Sequence, residues 1–202
     1  MAAPAIIATS PEEYLAFERA SKEKHEYFGG HFGGRVIAMA GASLAHNRIV
    51  ANLLGEISSF LKDKSCEILP SDIRISVPSR ESYMYPDAVI VCAQPEMEDD
   101  QFDTLKNPAV IFEILSPSTE DYDRGRKFFF YMQIPSFREY ILIDSAQRFV
   151  EIRRRQEDGS WKFETVADPG GEVFILSIQI SISMEEIYRN VTFQLAGTLP
   201  NA

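Results

Sequence analysis

Positive charge is scarce in this sequence. Across 202 residues, 20 lysines and arginines stand against 30 aspartates and glutamates, a formal net charge of −10. Sequence-independent affinity for nucleic acid comes from cations that neutralise phosphates, so this balance counts against a large basic grip on a polyanion. It does not exclude a small catalytic cleft, because a bound divalent metal supplies positive charge that no residue count includes. Long apolar runs are missing too: no stretch approaches the ~18 residues of a membrane span, and MAAPAIIATSPEEY lacks a basic segment followed by an apolar core. A cytoplasmic chain with no membrane partner is expected. Cysteine is nearly absent. Cys66 and Cys92 fall in apolar stretches, where two unpaired thiols read as small buried hydrophobes rather than as ligands or a disulfide. The one tryptophan, Trp161, sits in a peripheral hairpin, so nothing indicates the aromatic-lined cleft that glycoside hydrolysis by paired carboxylates would need. Internal repeats, low-complexity blocks, long linkers and DNA-reading modules such as a helix-turn-helix or zinc finger are likewise missing.

What is present suits one globular domain over 1–202, with 45% hydrophobic and 25% charged residues. SPEEYLAFERA predicts a short helix, with Ser10 as N-cap, Pro11 at the first helical position and Glu13 completing a capping box. KHEYFGGHFGGRVIAMAG predicts a hairpin with an enlarged glycine-rich tip. From Ser43 to Lys62, Val50, Leu53, Leu54, Ile57, Phe60 and Leu61 recur at three and four, the stripe of an amphipathic helix. The pieces CEILP, DIRISV, YPDAVIVC and AVIFEIL read as strands, and a second helix is expected from about Thr119 to Met132, ending before Pro135. EYILID, RFVEIRRRQ and SWKFETVA continue as strands with a turn at Asp158-Gly159. VFILSIQISI and SMEEIYRN suggest one strand and a closing helix, and residues 195–202 a frayed tail. A helix before three strands and a crossover helix before the fourth give a mixed sheet flanked by helices, an α/β (α+β) architecture with its core at about 43–144.

Two acids carry the chemistry. Glu113 lies in the middle of the apolar strand IFEIL, where an isolated carboxylate costs several kcal/mol or more unless paired or bound to a cation. Asp87 opens the strand YPDAVIVC. Neighbouring strands lie about 4.8 Å apart, so the two would repel unless a cation lay between them. Such oxygen ligands suit Mg²⁺ or Mn²⁺, which bridge substrate phosphates. The ordinary alternative is that Asp87 caps a turn and Glu113 pairs with an arginine. Asp123, Lys127 and Tyr131, spaced four apart, share a helix face that begins near the end of Glu113's strand. The ordinary reading there is a solvated i,i+4 pair. His46 is expected as a hydrogen-bonded structural histidine, with general base or substrate contact as its alternative. Asp72 reads as a turn residue, Arg124 and Arg126 as possible phosphate contacts, and Arg153, Arg154 and Arg155 as a solvated strand end.

Pro86-Asp87 followed by Glu113-Ile114-Leu115, in this element order, resembles the PD-(D/E)XK nuclease superfamily, whose restriction endonuclease-like αβββαβ core holds a divalent metal. FEILSPSTEDYDRGRKFFFYMQIPSFREYILID is similar to the bacterial family called Uma-two, labelled restriction endonucleases, and the resemblance runs from about Glu26 to Asp144. An N-terminal helix and hairpin and a C-terminal β-meander would be additions to that core. The superfamily carries a lysine two residues after the glutamate, where this chain has Leu115. The resemblance implies that Lys127 is the migrated lysine, that Asp87 and Glu113 hold Mg²⁺ or Mn²⁺, and that Glu26 adds a third carboxylate. It implies an endonuclease acting on DNA phosphodiesters, working as a homodimer because cutting two strands takes two sites. The net charge and the displaced lysine leave an alternative, a catalytically silent dimeric binding or regulatory protein.

Overall fold

The structure is a computed structural model that describes residues 6–7, 10–29, 32–39, 41–78 and 81–193. Part of the expected hairpin tip, Gly30-His31, and the tail from 195 onward lie outside the described residues. After a two-residue strand β1 (Ile6–Ile7), helix α1 (Pro11–Ala20) starts where Ser10 accepts a hydrogen bond from Glu13 N at 3.2 Å. The hairpin follows as β2 (His25–Phe28) and β3 (Arg35–Ala38), with Gly33 and Gly34 at φ +74° and +69°, backbone that favours glycine. Helix α2 (Leu44–Leu61) is capped by Ser43, and Ile49, Leu53, Ile57 and Leu61 form its buried stripe.

Then come β4 (Cys66–Pro70), β5 (Arg74–Ser76), β6 (Ser82–Met84), β7 (Ala88–Cys92), β8 (Thr104–Leu105) and β9 (Val110–Leu115). A helical crossover leads to β10 (Glu139–Asp144), β11 (Val150–Arg155) and β12 (Trp161–Val166). The chain closes with β13 (Glu172–Ile175), β14 (Ile180–Ser183) and a short helix α5 (Met184–Ile187) held by a Ser183/Glu186 capping box.

The expected mixed sheet is present, and beside it the described residues form a second six-stranded sheet and the two-stranded β13–β14 hairpin. The first sheet orders its strands β12-β11-β10-β9-β7-β4, with β9 and β10 parallel and the other pairs antiparallel. The second orders them β1-β3-β2-β6-β5-β8. Strands as short as β6 and β8 carry too few residues for an alternating pattern to register in sequence. On one face of the first sheet, α2, the β13–β14 hairpin and α5 pack against Ile90, Val110, Phe112, Ile114, Ile141 and Ile152. On its other face, Val89, Val91, Ile111, Leu115 and Leu142 meet Phe28, Ile75 and Met84 of the second sheet together with the crossover's Phe130 and Tyr131. Helix α1 covers the far side of the second sheet through Tyr14 and Leu15 against Tyr27, Val36 and Tyr83.

Four expectations need correction. The helix expected over 119–132 is segmented into α3 (Glu120–Tyr122), a π-helical turn over Asp123–Lys127 and α4 (Phe128–Tyr131). VFILSIQISI is a hairpin rather than one strand, turned at Leu176–Gln179 with Gln179 at φ +57° in place of a glycine. Cys66 and Cys92 are not separate thiols: the β4–β7 register sets them opposite each other, Cα atoms 4.0 Å apart, and they form a disulfide. Arg153, Arg154 and Arg155 are not a solvated end. Arg153 is buried and donates to Glu151 and the Arg124 carbonyl, Arg154 donates to Glu139, and Arg155 donates to the carbonyls of Met132 and Ile134. Strand β11 lies between two neighbours, so its charged side chains find partners there.

Candidate active site

Alternation along β9 decides where Glu113 points. Val110, Phe112 and Ile114 join the α2 side of the sheet, and Ile111 and Leu115 the side facing the second sheet. Glu113 shares the parity of the latter, so its carboxylate is buried between the sheets. There it meets Lys127, whose Nζ lies 3.1 Å from each carboxylate oxygen, and Tyr131, whose hydroxyl donates to Oε1 at 3.2 Å. Lys127 reaches back from the π turn. That turn also carries Asp123, 3.3 Å from the ammonium, and both side chains are buried, so the solvated-pair reading fails. Single π turns inside helices recur at functional sites. From the second sheet, Glu26 on β2 approaches Nζ at 3.3 Å. Glu26 is fixed in turn by Tyr85 N at 3.1 Å and by the Tyr122 hydroxyl at 2.5 Å, while the Tyr85 carbonyl accepts from Lys127 at 3.3 Å.

Asp87 stands at the more open side of the cluster, immediately before β7. One of its oxygens accepts from Ile114 N at 2.6 Å, and the other lies 2.9 Å from His46 Nε2. The Ile114 bond ties Asp87 to the residue after Glu113, which joins the two acids through one peptide. His46 comes from the first turn of α2, where the Ser43 hydroxyl caps its N–H. His46 and Asp87 side chains are 16% and 18% exposed against 3% for Glu113, so solvent reaches the cluster from the Asp87 side.

Burial pushes the Glu113 carboxyl well above the ordinary carboxylate range; Lys127 pulls it back down, and Asp123, Asp87 and Glu26 add to the rise. Burial likewise raises Asp123, against the pull of Lys127. For Lys127 burial works against the charged form, but Glu113, Glu26, Tyr131 and Asp123 outweigh it and hold the ammonium well above its ordinary value. Three carboxyl groups, Glu26, Glu113 and Asp123, thus share one ammonium.

Lys127 joins Glu113, Glu26 and Asp123 in one buried cluster, and Asp87 adjoins it through the Ile114 N–H. His46 is hydrogen-bonded, and its partner is Asp87 itself. Arg124 is engaged by Glu151 and Glu120. Arg126 is exposed, with its guanidinium over the rings of Phe28 and Phe32. Asp72 is exposed and pairs with Lys24. Sequence reasoning missed Tyr122 and Tyr85. Tyr122 lies in the EDYDRGRK run and gave no separate signal, and Tyr85 acts through its backbone, which no side-chain motif reveals.

A model of the Uma2 family, described as "Putative restriction endonuclease", matches residues 11–185. The chain belongs to the Uma2 family. Two proteins of Synechocystis sp., "Uncharacterized protein slr1290" and "Uncharacterized protein sll1609", are each 35% identical to it, over 91% and 80% of this chain and 93% and 89% of their own lengths. The fold is similar to the crystal structure of "a putative nuclease belonging to DUF820" from Anabaena variabilis, with a TM-score of 0.72 and 17% identity over 90% of this chain and 98% of that one. This Uma2 chain thus has a nuclease-type fold, and restriction endonuclease-like families generally use divalent metals. The donor chemistry here fits such an ion: Asp87, Glu113, Glu26 and Asp123 are hard oxygen donors. Among the described residues no three such groups already form a cage. Mg²⁺ commonly binds through one or two carboxylates plus waters, so a cage is not required. No helix among the described residues is long and apolar enough to cross a membrane.

Proposed function

We propose that the protein is a divalent metal-dependent endonuclease whose substrate is the phosphodiester backbone of DNA. The observation that supports this reading is Lys127 Nζ, which the crossover brings to 3.1 Å from both oxygens of Glu113, where it would stand in for the lysine absent at Leu115. Asp87 and Glu113 would hold Mg²⁺ or Mn²⁺, which supplies acidified water and positive charge for phosphoryl oxygens. The chain's own residues do the rest. Lys127 donates to a phosphoryl or water oxygen, and Glu26 and Asp123 keep its ammonium in the site. The peptide N–H of Ile114 and the ring of His46 fix the Asp87 carboxylate, which limits the reorganisation needed during reaction. Exposed Arg126, its guanidinium over Phe28 and Phe32, would meet a backbone phosphate.

A homodimer is the assembly proposed for cutting both strands, since closed twofold pairs are the commonest symmetric form. The complete engagement of Glu113 by Lys127 and Tyr131 favours a second reading, a silent member of the fold that binds without cleaving. Incubating plasmid and single-stranded DNA with Mg²⁺ or Mn²⁺ separates them. Cleavage lost in Asp87→Ala supports the nuclease, and wild type that neither cleaves nor gains thermal stability from the metal supports the silent protein.

A further inference from the structure

One ammonium serves several carboxyl groups between the sheets. Lys127 Nζ lies 3.3 Å from Glu26, 3.1 Å from Glu113 and 3.3 Å from Asp123, with every one of these side chains at most 5% exposed. The Tyr85 carbonyl takes a further place at 3.3 Å. An ammonium has three donors, so these acceptors already fill its capacity. Glu113 is equally committed, because Lys127 reaches both of its oxygens and Tyr131 donates to one. A metal ligand and the lysine expected to face the substrate are thus bound to each other.

We propose that Lys127 is a built-in cation lock: its ammonium competes with a divalent cation entering beside Asp87 for the Glu113 carboxylate, so that binding of the ion releases the lysine from it. This rests on the reading of Asp87 and Glu113 as metal ligands. Release need not carry the lysine out of the site. Glu26 is anchored by Tyr85 N–H and Tyr122, and Asp123 shares the π turn with Lys127, so both keep hold of the ammonium. One exchange of partners then frees an oxygen donor for the metal and an N–H donor for a substrate oxygen. The lysine becomes available only once the metal is in place, which keeps the site closed to substrate without it. A lysine that only pins the two sheets together would keep its contact with Glu113 when the ion binds, so the resonance of its ammonium would not move.

The test is Mn²⁺ binding by calorimetry and thermal shift for wild type, Lys127→Met and Asp87→Ala, all at one pH. Lys127→Met is expected to bind Mn²⁺ about tenfold more tightly than wild type and to gain more thermal stability from it. Asp87→Ala is expected to lose both effects. If wild type binds Mn²⁺ and cleaves DNA while Lys127→Met binds no more tightly, the lock is overturned and the proposed nuclease stands. If neither wild type nor Lys127→Met binds Mn²⁺, the lock and the metal reading fall together. Should Lys127→Met not fold, ¹⁵N NMR of the wild-type lysine ammonium gives the answer. The Lys127 resonance is expected to shift on saturation with Mg²⁺, and bound Mg²⁺ that leaves it unmoved overturns the lock.

Discussion

Replacing Lys127 by methionine removes the positive charge from the centre of the cluster while keeping most of the side chain's length and apolar stem. The lysine faces Glu26, Glu113 and Asp123 at 3.1 to 3.3 Å. Each contact is worth about 5 kcal/mol at an effective dielectric of about 20, against several kcal/mol for desolvating the ammonium. Deleting one member of a buried ion pair typically costs about 3 to 5 kcal/mol, because it strands the other charge. That is a large share of the roughly 5 to 15 kcal/mol that stabilises a native domain. The loss also has a defined pH dependence. Glu113, raised above its ordinary 4.5, contributes stability that is fully present below 4.5 and fades as pH rises through its folded value. Lys127, raised above 10.5, contributes throughout the range below 10.5. Without the lysine the carboxyl values climb further, so the variant's deficit is greatest at neutral and alkaline pH and shrinks toward acid as the carboxyls protonate. Urea unfolding followed by Trp161 fluorescence at neutral pH and near pH 5 measures both effects. A variant as stable as wild type at neutral pH, or a deficit that grows on acidification, would refute the electrostatic account of the cluster.

Glu113→Gln is expected to have the opposite character, leaving stability within about 1 kcal/mol of wild type because an amide oxygen can still accept from Lys127 and Tyr131, yet abolishing metal-dependent thermal stabilisation. Tyr85→Phe removes a hydroxyl that donates to Glu18 at 3.0 Å and accepts from Arg74 at 3.1 Å. Urea midpoints should fall by the equivalent of about 1 to 3 kcal/mol, the cost of stranding buried polar partners. Reducing the Cys66–Cys92 bond opens a loop with a sequence separation of 26. By loop entropy that costs about 3.5 kcal/mol, read as a drop in Tm with reductant that is absent in a Cys66→Ser/Cys92→Ser double variant. Arg126→Ala should weaken DNA binding and lower the slope of log affinity against log salt by about 1, while Tm stays close to wild type.

Much of this site was legible because its chemistry contradicts its surroundings. A carboxylate inside IFEIL needs a partner, and that requirement singled out Glu113 before any geometry was known. The helical stripe of α2 and the Ser43 cap were equally plain, since both depend on local spacing. What stayed hidden depends on register and on distant chain. Cys66 and Cys92 face each other only because β4 and β7 pair as they do. Strands β6 and β8 borrow their stability from neighbours rather than from pattern, so the second sheet, which brings Glu26 to Lys127, could not be read from the sequence. The π turn lies over DRGRK, where spacing alone predicts an ordinary helix. Gln179 turns the last hairpin at a positive φ with no glycine to announce it.

The most direct test of the central claim is cleavage of plasmid and single-stranded DNA in Mg²⁺ or Mn²⁺ by wild type, Asp87→Ala and Lys127→Ala, each verified as folded by circular dichroism. The account predicts cleavage by wild type that is lost in both variants and abolished by chelation. Cleavage that survives in Asp87→Ala, or none from wild type in either metal, would contradict it.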